Sequence, residues 1–316
     1  SEEDGTRLDR VIRNRFPIIK QGELEKLLRL GKILVDKKKV KAGIRVEFGQ
    51  EIDLKFDLNK YYSKPLSPKT NIPNPVISQS ARRKATSIIE SWKIDETSDW
   101  IAINKPEGIA VQGGSRVSYH IDGLLQDGFG DKRPRLVHRI DKDTSGILLL
   151  AKNKQTARLF TQYFREQSIS KTYIAFCIGK ISKSGKISEP VAKLLQKGIE
   201  KMTVDYDQGL TAISLFERLF YNSGISLVCL RPLTGRTHQL RVHMDFNGTP
   251  ILGDGKYAGN KAHPTGKFAR KLHLHAHFMT LPNGHLITAK VPEHMRLAAY
   301  MLGTDIPSNN QHFSSI

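Results

Sequence analysis

The chain has 316 residues, a formal net charge of +19 at pH 7 and only two cysteines. This length can bury a substantial core, and so large a positive charge favours a polyanionic partner such as nucleic acid. The two cysteines, Cys177 and Cys229, lie in apolar stretches, which excludes a disulfide framework and fits free thiols in a reducing compartment. No apolar run approaches the roughly 20 residues of a membrane-spanning helix, and the N-terminal segment has no signal-peptide core. We therefore expect a cytoplasmic protein without a membrane partner.

Residues 1–56 have the pattern of a small separate unit. Leucine, valine and isoleucine recur at helical spacing in two short runs, and Gly31 follows the second run as a C-cap. Apolar segments on either side of the basic turn 36–39 predict two strands, and the alternating segment 52–54 predicts a third. Cations along one side fit RNA binding. The cations that we assign to this RNA-binding face are Arg7, Arg10, Lys32, Lys38 and Lys39.

This unit resembles the S-four RNA-binding domain, which is named after a ribosomal protein. The likeness depends on the order and spacing of short segments rather than on any one of them. The matching segments are Arg7-Leu8-Asp9-Arg10, Leu27-Leu28, Gly31-Lys32-Ile33, Val35 with Lys38-Lys39-Val40, and Gly49 to Ile52. The resemblance implies that the unit binds RNA. A charged, solvated helical hairpin is the alternative.

Residues 57–91 have the composition of a linker. Pro65, Pro68, Pro73 and Pro75 lie among Ser, Lys and Asn, and proline disfavours the interior of a helix or sheet. A helix near residues 82–92 is the one regular element that this stretch could hold.

Residues 92–304 have the pattern of a larger α+β domain with a mixed, largely antiparallel sheet. Strand patterns interrupted by Gly and Pro dominate, and residues 305–316 follow as a tail. The predicted strands are 100–103, 147–151, 173–178, 227–230, 240–244 and 286–291, and the predicted helix is 156–166.

The segment 137–151 is the most informative one in the chain. Its polar part, from His138 to Gly146, runs directly into an apolar stretch, as a loop does when it enters a buried strand. Loops held by rigid strands often carry catalytic side chains. Asp141 is the candidate for that role, with Arg139 two residues before it. An Asx-type turn that only ends a strand is the alternative.

A second informative segment, 233–244, combines cations with apolar residues. If residues 240–244 are extended, Arg241 and His243 share one face of a strand. A buried arginine needs an anionic partner, and Asp141 would suit because the charge of Arg241 lowers the pKa of a neighbouring carboxyl. A surface strand whose cations meet solvent or phosphate is the alternative. The sequence does not decide whether the two segments meet.

Two further features concern ligands. The loop 104–114 contains paired glycines but lacks the spacing of a nucleotide-binding loop. His273, His275 and His277 alternate and so share one face of a strand, which is one way to build a zinc site. Strand positions two apart lie about 6–7 Å from each other, and no carboxylate or thiolate is near in sequence. We therefore favour packed or phosphate-binding histidines and expect neither a metal nor a cofactor.

Four segments together resemble the RluA-type pseudouridine synthases over residues 92–304. They are 104–114, 137–151, 171–175 and 233–244, in the order and spacing of that family. The usual His-Arg-Leu-Asp of the family is His-Arg-Ile-Asp here. With the S-four-like unit in front, the resemblance implies the branch that acts on large-subunit ribosomal RNA.

The resemblance implies a pseudouridine synthase fold and an aspartate-initiated isomerisation of uridine without a metal, nucleotide or redox cofactor. Asp141 would start glycosidic cleavage, Tyr173 would stack on the flipped base, and Arg241 would pair with Asp141. Arg139 would enter the RNA stack and help to extrude the uridine. The other RNA contacts predicted for this domain are His138, Arg236, His238 and Gln239.

Other functions remain compatible with the sequence. A non-catalytic RNA-binding or ribosome-assembly protein could keep the same fold, and a pseudouridine synthase could act on transfer RNA. A metal-dependent hydrolase built on the late histidines would bind zinc. We expect RNA as the partner and a monomeric protein.

Overall fold

The computed structural model describes residues 5–16, 19–57, 78–114, 119–196, 199–264 and 267–310. The chain divides into two compact units, Ser1–Val76 and Ile77–Ile316.

In the first unit, two short helices accompany a three-stranded antiparallel sheet. The helices are α1 (Leu8–Arg15) and α2 (Gln21–Arg29), and the sheet order is β2 (Lys38–Lys39), β1 (Ile33–Val35), β3 (Ile52–Leu54). Apolar side chains of both helices and of β1 form one buried core. Gly31 follows α2 at φ +68, and both residues of the tight turn between β1 and β2 have positive φ. The two predicted helices and the strands at 33–35 and 52–54 are confirmed, whereas β2 consists of Lys38 and Lys39, which we predicted as part of the turn.

The second unit is built from helices on a large sheet. Its helices are α3 (Gln79–Ser91), α4 (Ile121–Phe129), α5 (Lys154–Arg165), α6 (Gln239–Phe246) and α7 (Glu293–Leu302). Its strands are β4 (Lys93–Glu96), β5 (Trp100–Lys105), β6 (Arg135–Leu136), β7 (Ser145–Ala151), β8 (Ser170–Ile178), β9 (Ser184–Ile187), β10 (Val191–Gln196), β11 (Ile199–Val204), β12 (Ser214–Asn222), β13 (Ile225–Pro232), β14 (Leu274–Thr280) and β15 (Leu286–Thr288).

A ten-stranded sheet forms the body of this unit, with the main order β4-β5-β7-β14-β8-β13-β12-β9. β6 pairs with β7, β15 pairs with β14, and β10 and β11 form a separate hairpin. β7 and β14 are parallel, and the other pairs of described strands are antiparallel. The mixed, largely antiparallel α+β fold is therefore confirmed. Every residue of β7 is buried, so the loop that enters it starts from a rigid strand.

Helix α3 occupies the end of the segment that we predicted as a linker. The Ser78 hydroxyl accepts a hydrogen bond from the N–H of Ala81 and caps the helix, whose apolar face packs into the core. The proline-rich residues 58–77 and the end of the tail, residues 311–316, lie outside the described residues.

One strand prediction is wrong and another is too long. Residues 240–244 are helical: they belong to α6, and every residue from Gln239 to Met244 is buried. A helix that is buried on all sides has no amphipathic period, so its short apolar run fits a strand equally well. The late strand is shorter than predicted, because β15 ends at Thr288. As expected, Cys177 and Cys229 are free and buried. None of the described helices has the length and apolar character that a membrane crossing needs.

Candidate active site

The loop between β6 and β7 carries Asp141 into the wall of a cavity of about 760 Å³. The N–H of Thr144 donates to the carbonyl oxygen of Asp141 (3.2 Å), so the loop turns back directly before β7. Gly146, in β7, has φ +113, and a Cβ there would lie 2.2 Å from the carbonyl oxygen of Ala276. Only glycine permits this close approach of β14, which fixes the end of the Asp141 loop.

Lys105, at the end of β5, is fully buried and bonded to the same loop. Its Nζ donates to the carbonyl oxygens of Pro106 (2.8 Å), Ile109 (2.9 Å) and Lys142 (3.0 Å). Three carbonyls thus satisfy the three donors of the ammonium group in place of water. Burial lowers the pKa of Lys105 to about 8, although nearby carboxylates, including that of Asp141, oppose the shift. Lys105 ties the residue after Asp141 to the loop that follows β5.

Helix α6 supplies further residues of the cavity wall, and its arginine has a different partner from the one that we predicted. Arg241 donates from Nε and Nη2 to the two carboxylate oxygens of Asp254, at 2.8 and 2.7 Å. Within the described residues, no hydrogen bond or ion pair joins Arg241 directly to Asp141. Arg241 acts on Asp141 through its charge alone.

The cavity shifts the acidity of Asp141 in a direction that the sequence did not predict. Burial raises the pKa of Asp141 above its ordinary value, and the charges of Arg241 and Arg139 oppose the rise. We expected a lowered pKa, but the loss of hydration outweighs the two guanidinium groups. The carboxylate is therefore more basic than an exposed aspartate, while two cations still stabilise its ionised form. Both properties suit a nucleophile or a general base.

Tyr173, on β8, lines the same cavity and is half-buried. Its backbone is paired on both sides, with Leu230 of β13 and Ala276 of β14, so the ring stands on a rigid strand. Burial raises the pKa of Tyr173 above its ordinary value, and the charge of Asp141 adds to the rise, so the phenol keeps its proton at neutral pH. A fixed, neutral aromatic ring is a surface on which a nucleobase can stack.

Asp254 and Tyr257, which we did not single out in the sequence, lie in the segment after α6. Nδ1 of His238 is 2.7 Å from the Tyr257 hydroxyl, and its Nε2 is 4.0 Å from Oδ1 of Asp141. The Arg241 guanidinium stands over the Tyr257 ring at 5.1 Å from its centre. Glycines on both sides of Asp254 indicate a turn, but no sequence spacing connects this turn with α6.

His138 and Gln239 line the cavity, but Nε2 of His138 and both polar atoms of the Gln239 amide are bonded inside the protein. Nε2 of His138 accepts the N–H of Leu149 (2.8 Å), and burial lowers the pKa of His138 to about 3, so the ring is neutral. The Gln239 amide donates to the Ile213 carbonyl and the Ser214 hydroxyl, both at 2.9 Å. These bonds hold the cavity walls in place, and direct contact of either side chain with RNA stays a prediction.

Cations line the cavity around this group. Arg139 and Arg236 are exposed, and Nε of Arg236 donates to the carbonyl of Thr211 (3.0 Å). The cationic residues of the cavity wall outside α6 are Arg139, Arg165, Lys171, Arg231 and Arg236. Such a lining attracts an anionic polymer.

In the first unit, the predicted RNA-binding cations are all exposed: Arg7, Arg10, Lys32, Lys38 and Lys39. Arg7 forms an ion pair with Asp9 (2.8 Å), which orients its guanidinium. Arg7 and Arg10 also line a shallow depression of about 520 Å³, together with Arg13 and Asn14. The charges that an RNA backbone needs are therefore accessible to solvent.

The late histidines are packed in the interior. Nδ1 of His275 lies 2.9 Å from the Ser145 hydroxyl, and Nδ1 of His277 lies 2.8 Å from the carbonyl of Ala289. Burial lowers the pKa of His273 to about 4 and that of His275 to about 3. No group of three or more potential metal ligands occurs among the residues that the structure describes.

Comparison with known proteins connects this geometry to a family. The family model of RNA pseudouridylate synthases matches residues 99–246, and that of the S4 domain matches residues 6–52. Ribosomal large subunit pseudouridine synthase C of Rickettsia bellii is 37% identical over 286 residues, which cover 87% of this chain and 89% of the relative. The protein of that name from Buchnera aphidicola is 32% identical over 303 residues, with 90% of each chain covered.

A solved structure extends the likeness to the fold. The human protein RNA pseudouridylate synthase domain containing 4 aligns with a TM-score of 0.61 and 25% identity, over 72% of this chain and 98% of that chain. The aligned relatives cover most of the present chain, and the family model spans the Asp141 loop, Tyr173 and α6. The chain therefore belongs to the RNA pseudouridylate synthase family and carries an S4 domain before its synthase domain.

Proposed function

We propose that this protein converts specific uridines of large-subunit ribosomal RNA into pseudouridine. The observation that carries the proposal is the cationic cavity in which the partly buried Asp141, the neutral ring of Tyr173 and Arg241 line one space. The relatives described above are named as ribosomal large subunit pseudouridine synthases, and they match nearly the whole chain. The net charge of +19 supports an RNA substrate.

The chemistry balances without any further reactant, because uridine and pseudouridine contain the same atoms. The bond between ribose C1′ and uracil N1 breaks, the base turns, and C1′ joins to C5. C5 then releases its proton, and N1 gains one. Asp141 starts the cleavage either by attacking C1′ or by taking a ribose proton to give a glycal. Its raised pKa, with charge support from Arg241 and Arg139, suits both routes.

The base must leave its stack before Asp141 can reach the ribose. Extrusion costs a few kcal/mol and least in loops and single strands, which favours uridines in unpaired RNA. Arg139 is exposed two residues before Asp141 and would fill the gap that the base leaves. Tyr173 offers the stacking surface inside the cavity. The cations of the cavity wall would hold phosphates next to the extruded uridine, and the cations of the S4 domain would bind RNA phosphates as well.

A ribosomal RNA substrate also bears on the compartment and the oligomeric state that we propose for the protein. We expect it to act as a monomer in the cytoplasm, where ribosomal RNA is accessible during assembly. Size-exclusion chromatography with light scattering measures the first point, and a mass near twice 35.6 kDa would contradict it.

Pseudouridine mapping of large-subunit RNA tests the proposal. The RNA comes from cells that lack the gene, and carbodiimide labelling with primer extension reads the modified positions. We expect specific sites to disappear and to return with the wild-type gene and with Asp131→Asn, an exposed carboxylate in the turn after α4. Asp141→Asn should restore no site, while the purified variant still binds the RNA.

Three results would contradict the proposal. If all ribosomal sites persist and sites in transfer RNA disappear, the substrate is wrong. If Asp141→Asn restores the sites, another residue starts the cleavage. Persistence of every site in both RNA classes, together with intact RNA binding, would favour a non-catalytic RNA-binding protein.

A further inference from the structure

His238 has an unusual backbone conformation at the start of α6. Its φ of +53 and ψ of +19 place it in the left-handed region, directly before Gln239. A side chain with a Cβ is strained in that region relative to the ordinary helical conformation. Such strain persists only where the surrounding structure holds it, and it is concentrated at functional sites. The strained backbone directs the imidazole toward both Asp141 and Tyr257.

The contacts of Tyr257 determine which imidazole nitrogen carries the proton. The Tyr257 hydroxyl accepts the N–H of Met202 (3.4 Å), so its own proton is available for Nδ1 of His238, 2.7 Å away. Burial raises the pKa of Tyr257 to about 12, and burial with the charges of Arg241 and Lys256 lowers that of His238 to about 3. The phenol therefore keeps a proton that it can donate, and the imidazole is neutral. When the phenol donates to Nδ1, the single imidazole proton lies on Nε2.

That Nε2–H faces the carboxylate. Nε2 is 4.0 Å from Oδ1 of Asp141, which is longer than a hydrogen bond. Catalytic hydrogen bonds are often long in the free enzyme and tighten when substrate is bound. The surroundings of Tyr257 hold its ring in place. The residue is 8% exposed, and the cationic groups of Arg241 and Lys201 lie 5.1 and 4.9 Å from the centre of its ring.

We propose that His238 is a positioning residue whose Nε2–H, in the tautomer selected by Tyr257, donates a hydrogen bond to Asp141 when a uridine fills the cavity. The inference rests on the proposed function and deepens it. The bond engages one carboxylate oxygen and leaves the other free for the ribose. A neutral donor orients Asp141 without adding a positive charge to those of Arg241 and Arg139. A third positive charge would lower the pKa of Asp141 and make the carboxylate less basic. His238 was predicted as an RNA contact, so the two roles can be compared directly.

Kinetics under single-turnover conditions separate these roles. His238→Ala and Tyr257→Phe should each lower the rate at saturating RNA by about 10- to 100-fold, the effect of losing a hydrogen bond to a charged group. The dissociation constant for RNA should stay unchanged. His238→Gln, whose amide can place an N–H near the position of Nε2, should recover part of the rate. Tyr206→Phe is the matched control, because its hydroxyl is exposed and bonded to Glu189.

A double substitution tests the link between the two residues. Glutamine needs no partner to select a tautomer, so adding Tyr257→Phe to His238→Gln should cost no further rate. Equal losses from Tyr257→Phe in both backgrounds would contradict the proposal. Weakened RNA binding with an unchanged saturated rate in His238→Ala would also contradict it and assign His238 to RNA contact.

The pH profile adds a second kinetic readout. Several charged or titratable groups other than His238 influence the pKa of Asp141. The His238 variants keep all of them, and Tyr257→Phe removes only the Tyr257 hydroxyl. These groups are Arg241 from α6, Lys105 from β5, Tyr173 from β8, Tyr257 from the segment after α6, and Arg139 and Asp143 from its own loop. Without the Nε2–H donor the pKa of Asp141 rises, so the acid limb of the rate should move to higher pH in His238→Ala. An unmoved acid limb would count against the proposal.

A measurement without turnover keeps the inference testable even if a variant fails to fold or the RNA substrate is wrong. In the intact protein, ¹⁵N NMR of the histidine side chains reports the tautomer of each imidazole. We expect the His238 signal to show Nε2–H with an unprotonated Nδ1 at neutral pH. A protonated Nδ1, or a doubly protonated ring, would overturn the proposal whatever the pseudouridine maps show.

Discussion

Arg241 and Asp254 form a bidentate ion pair, at 2.8 and 2.7 Å, in which both side chains are almost completely buried. The pair joins α6 to the segment that carries Tyr257, and it uses Nε and Nη2 of the guanidinium. Arg241 therefore stays in one position while its charge acts on Asp141. The position of Arg241 in the cavity wall is thus held by a bond to a residue that we did not predict as its partner.

Removal of Asp254 should destabilise the protein strongly. Asp254→Ala leaves a buried guanidinium without its carboxylate, and breaking a buried ion pair in this way costs about 3–5 kcal/mol. Denaturant unfolding measures the free energy, with Asp131→Ala as the exposed control, whose change should stay within about 0.5 kcal/mol. A loss below about 1 kcal/mol for Asp254→Ala would mean that Arg241 finds another anion, most directly Asp141.

The paired replacement Arg241→Met with Asp254→Val separates stability from activity. Apolar residues of similar volume often replace a buried ion pair at little cost, so the free energy of unfolding should return most of the way to the wild-type value. Pseudouridine formation should stay absent, because Asp141 has lost the charge that opposes the rise of its pKa. A double variant that is both stable and active would show that Arg241 is structural only.

Lys105 should be essential for the position of the Asp141 loop. Lys105→Met keeps the aliphatic chain but removes the donor shared by three carbonyls. The Lys142 carbonyl keeps the N–H of Gly108 (2.9 Å), whereas those of Pro106 and Ile109 lose their donor. A buried acceptor that loses its partner costs about 1–3 kcal/mol, so we expect a total loss of at least about 2 kcal/mol. The measurement is urea unfolding, and Lys290→Met, an exposed lysine, should change little. Equal losses in both variants would refute the bracing role.

Gly146→Ala should be among the most harmful single-methyl additions in the synthase domain. Its Cβ would lie 2.2 Å from the Ala276 oxygen, and the residue has φ +113, so strain and overlap add. Gly284→Ala is the matched control: it has φ +83 but nothing within 4 Å of the added Cβ. The control should lose about 1–2 kcal/mol from backbone strain alone. Thermal unfolding should show a clearly larger loss of stability for Gly146→Ala than for the control. Equal losses in the two variants would show that β14 can move away from the added methyl group without a cost in free energy.

The Asp141 loop was predictable from the sequence because polar and apolar residues separate along it. A cluster of turn-forming side chains followed by five apolar residues has few structural solutions, and β7 is the buried strand that it indicates. Tyr173 was placed on its strand for a similar reason, since apolar and aromatic residues dominate 173–178. The hydrophobic pattern predicted an element correctly where the element has one buried and one exposed side, or where it is a short apolar strand.

Helix α6 and its partners were not predictable in the same way. All residues from Gln239 to Met244 are buried, including Arg241 and His243, so the pattern that distinguishes helix from strand is absent. Asp254 lies 13 residues after Arg241 in an irregular segment, where sequence periodicity carries no information about contacts. The predicted direction of the pKa shift of Asp141 was wrong for a related reason. The sequence can suggest a charged partner, but it does not show how deeply the carboxyl is buried.

The buried histidines should make the protein unstable in mild acid. Burial lowers the pKa of His275 from its ordinary 6.5 to about 3 and that of His273 to about 4. Between these values and pH 6.5 the unfolded chain binds a proton at each histidine, whereas the folded chain does not. The free energy of unfolding therefore falls as the pH decreases below about 6.5, by up to about 1.4 kcal/mol per pH unit for each histidine. Asp141, whose pKa is raised by burial, works in the opposite direction.

A substitution at His275 tests whether the free energy of unfolding falls with decreasing pH because of a buried histidine. In the neutral ring, Nδ1 can accept the Ser145 hydroxyl (2.9 Å) while Nε2–H donates to the Ala289 carbonyl (3.2 Å). His275→Gln removes the titrating group, so the slope of unfolding free energy against pH between about 6 and 4.5 should decrease by about one proton. Ser145→Ala is the control: it removes the hydrogen bond but leaves the imidazole, so stability should fall at all pH values with the slope unchanged. If both variants keep the wild-type slope, His275 takes up its proton in the folded state as well, and the acid sensitivity must arise from other groups.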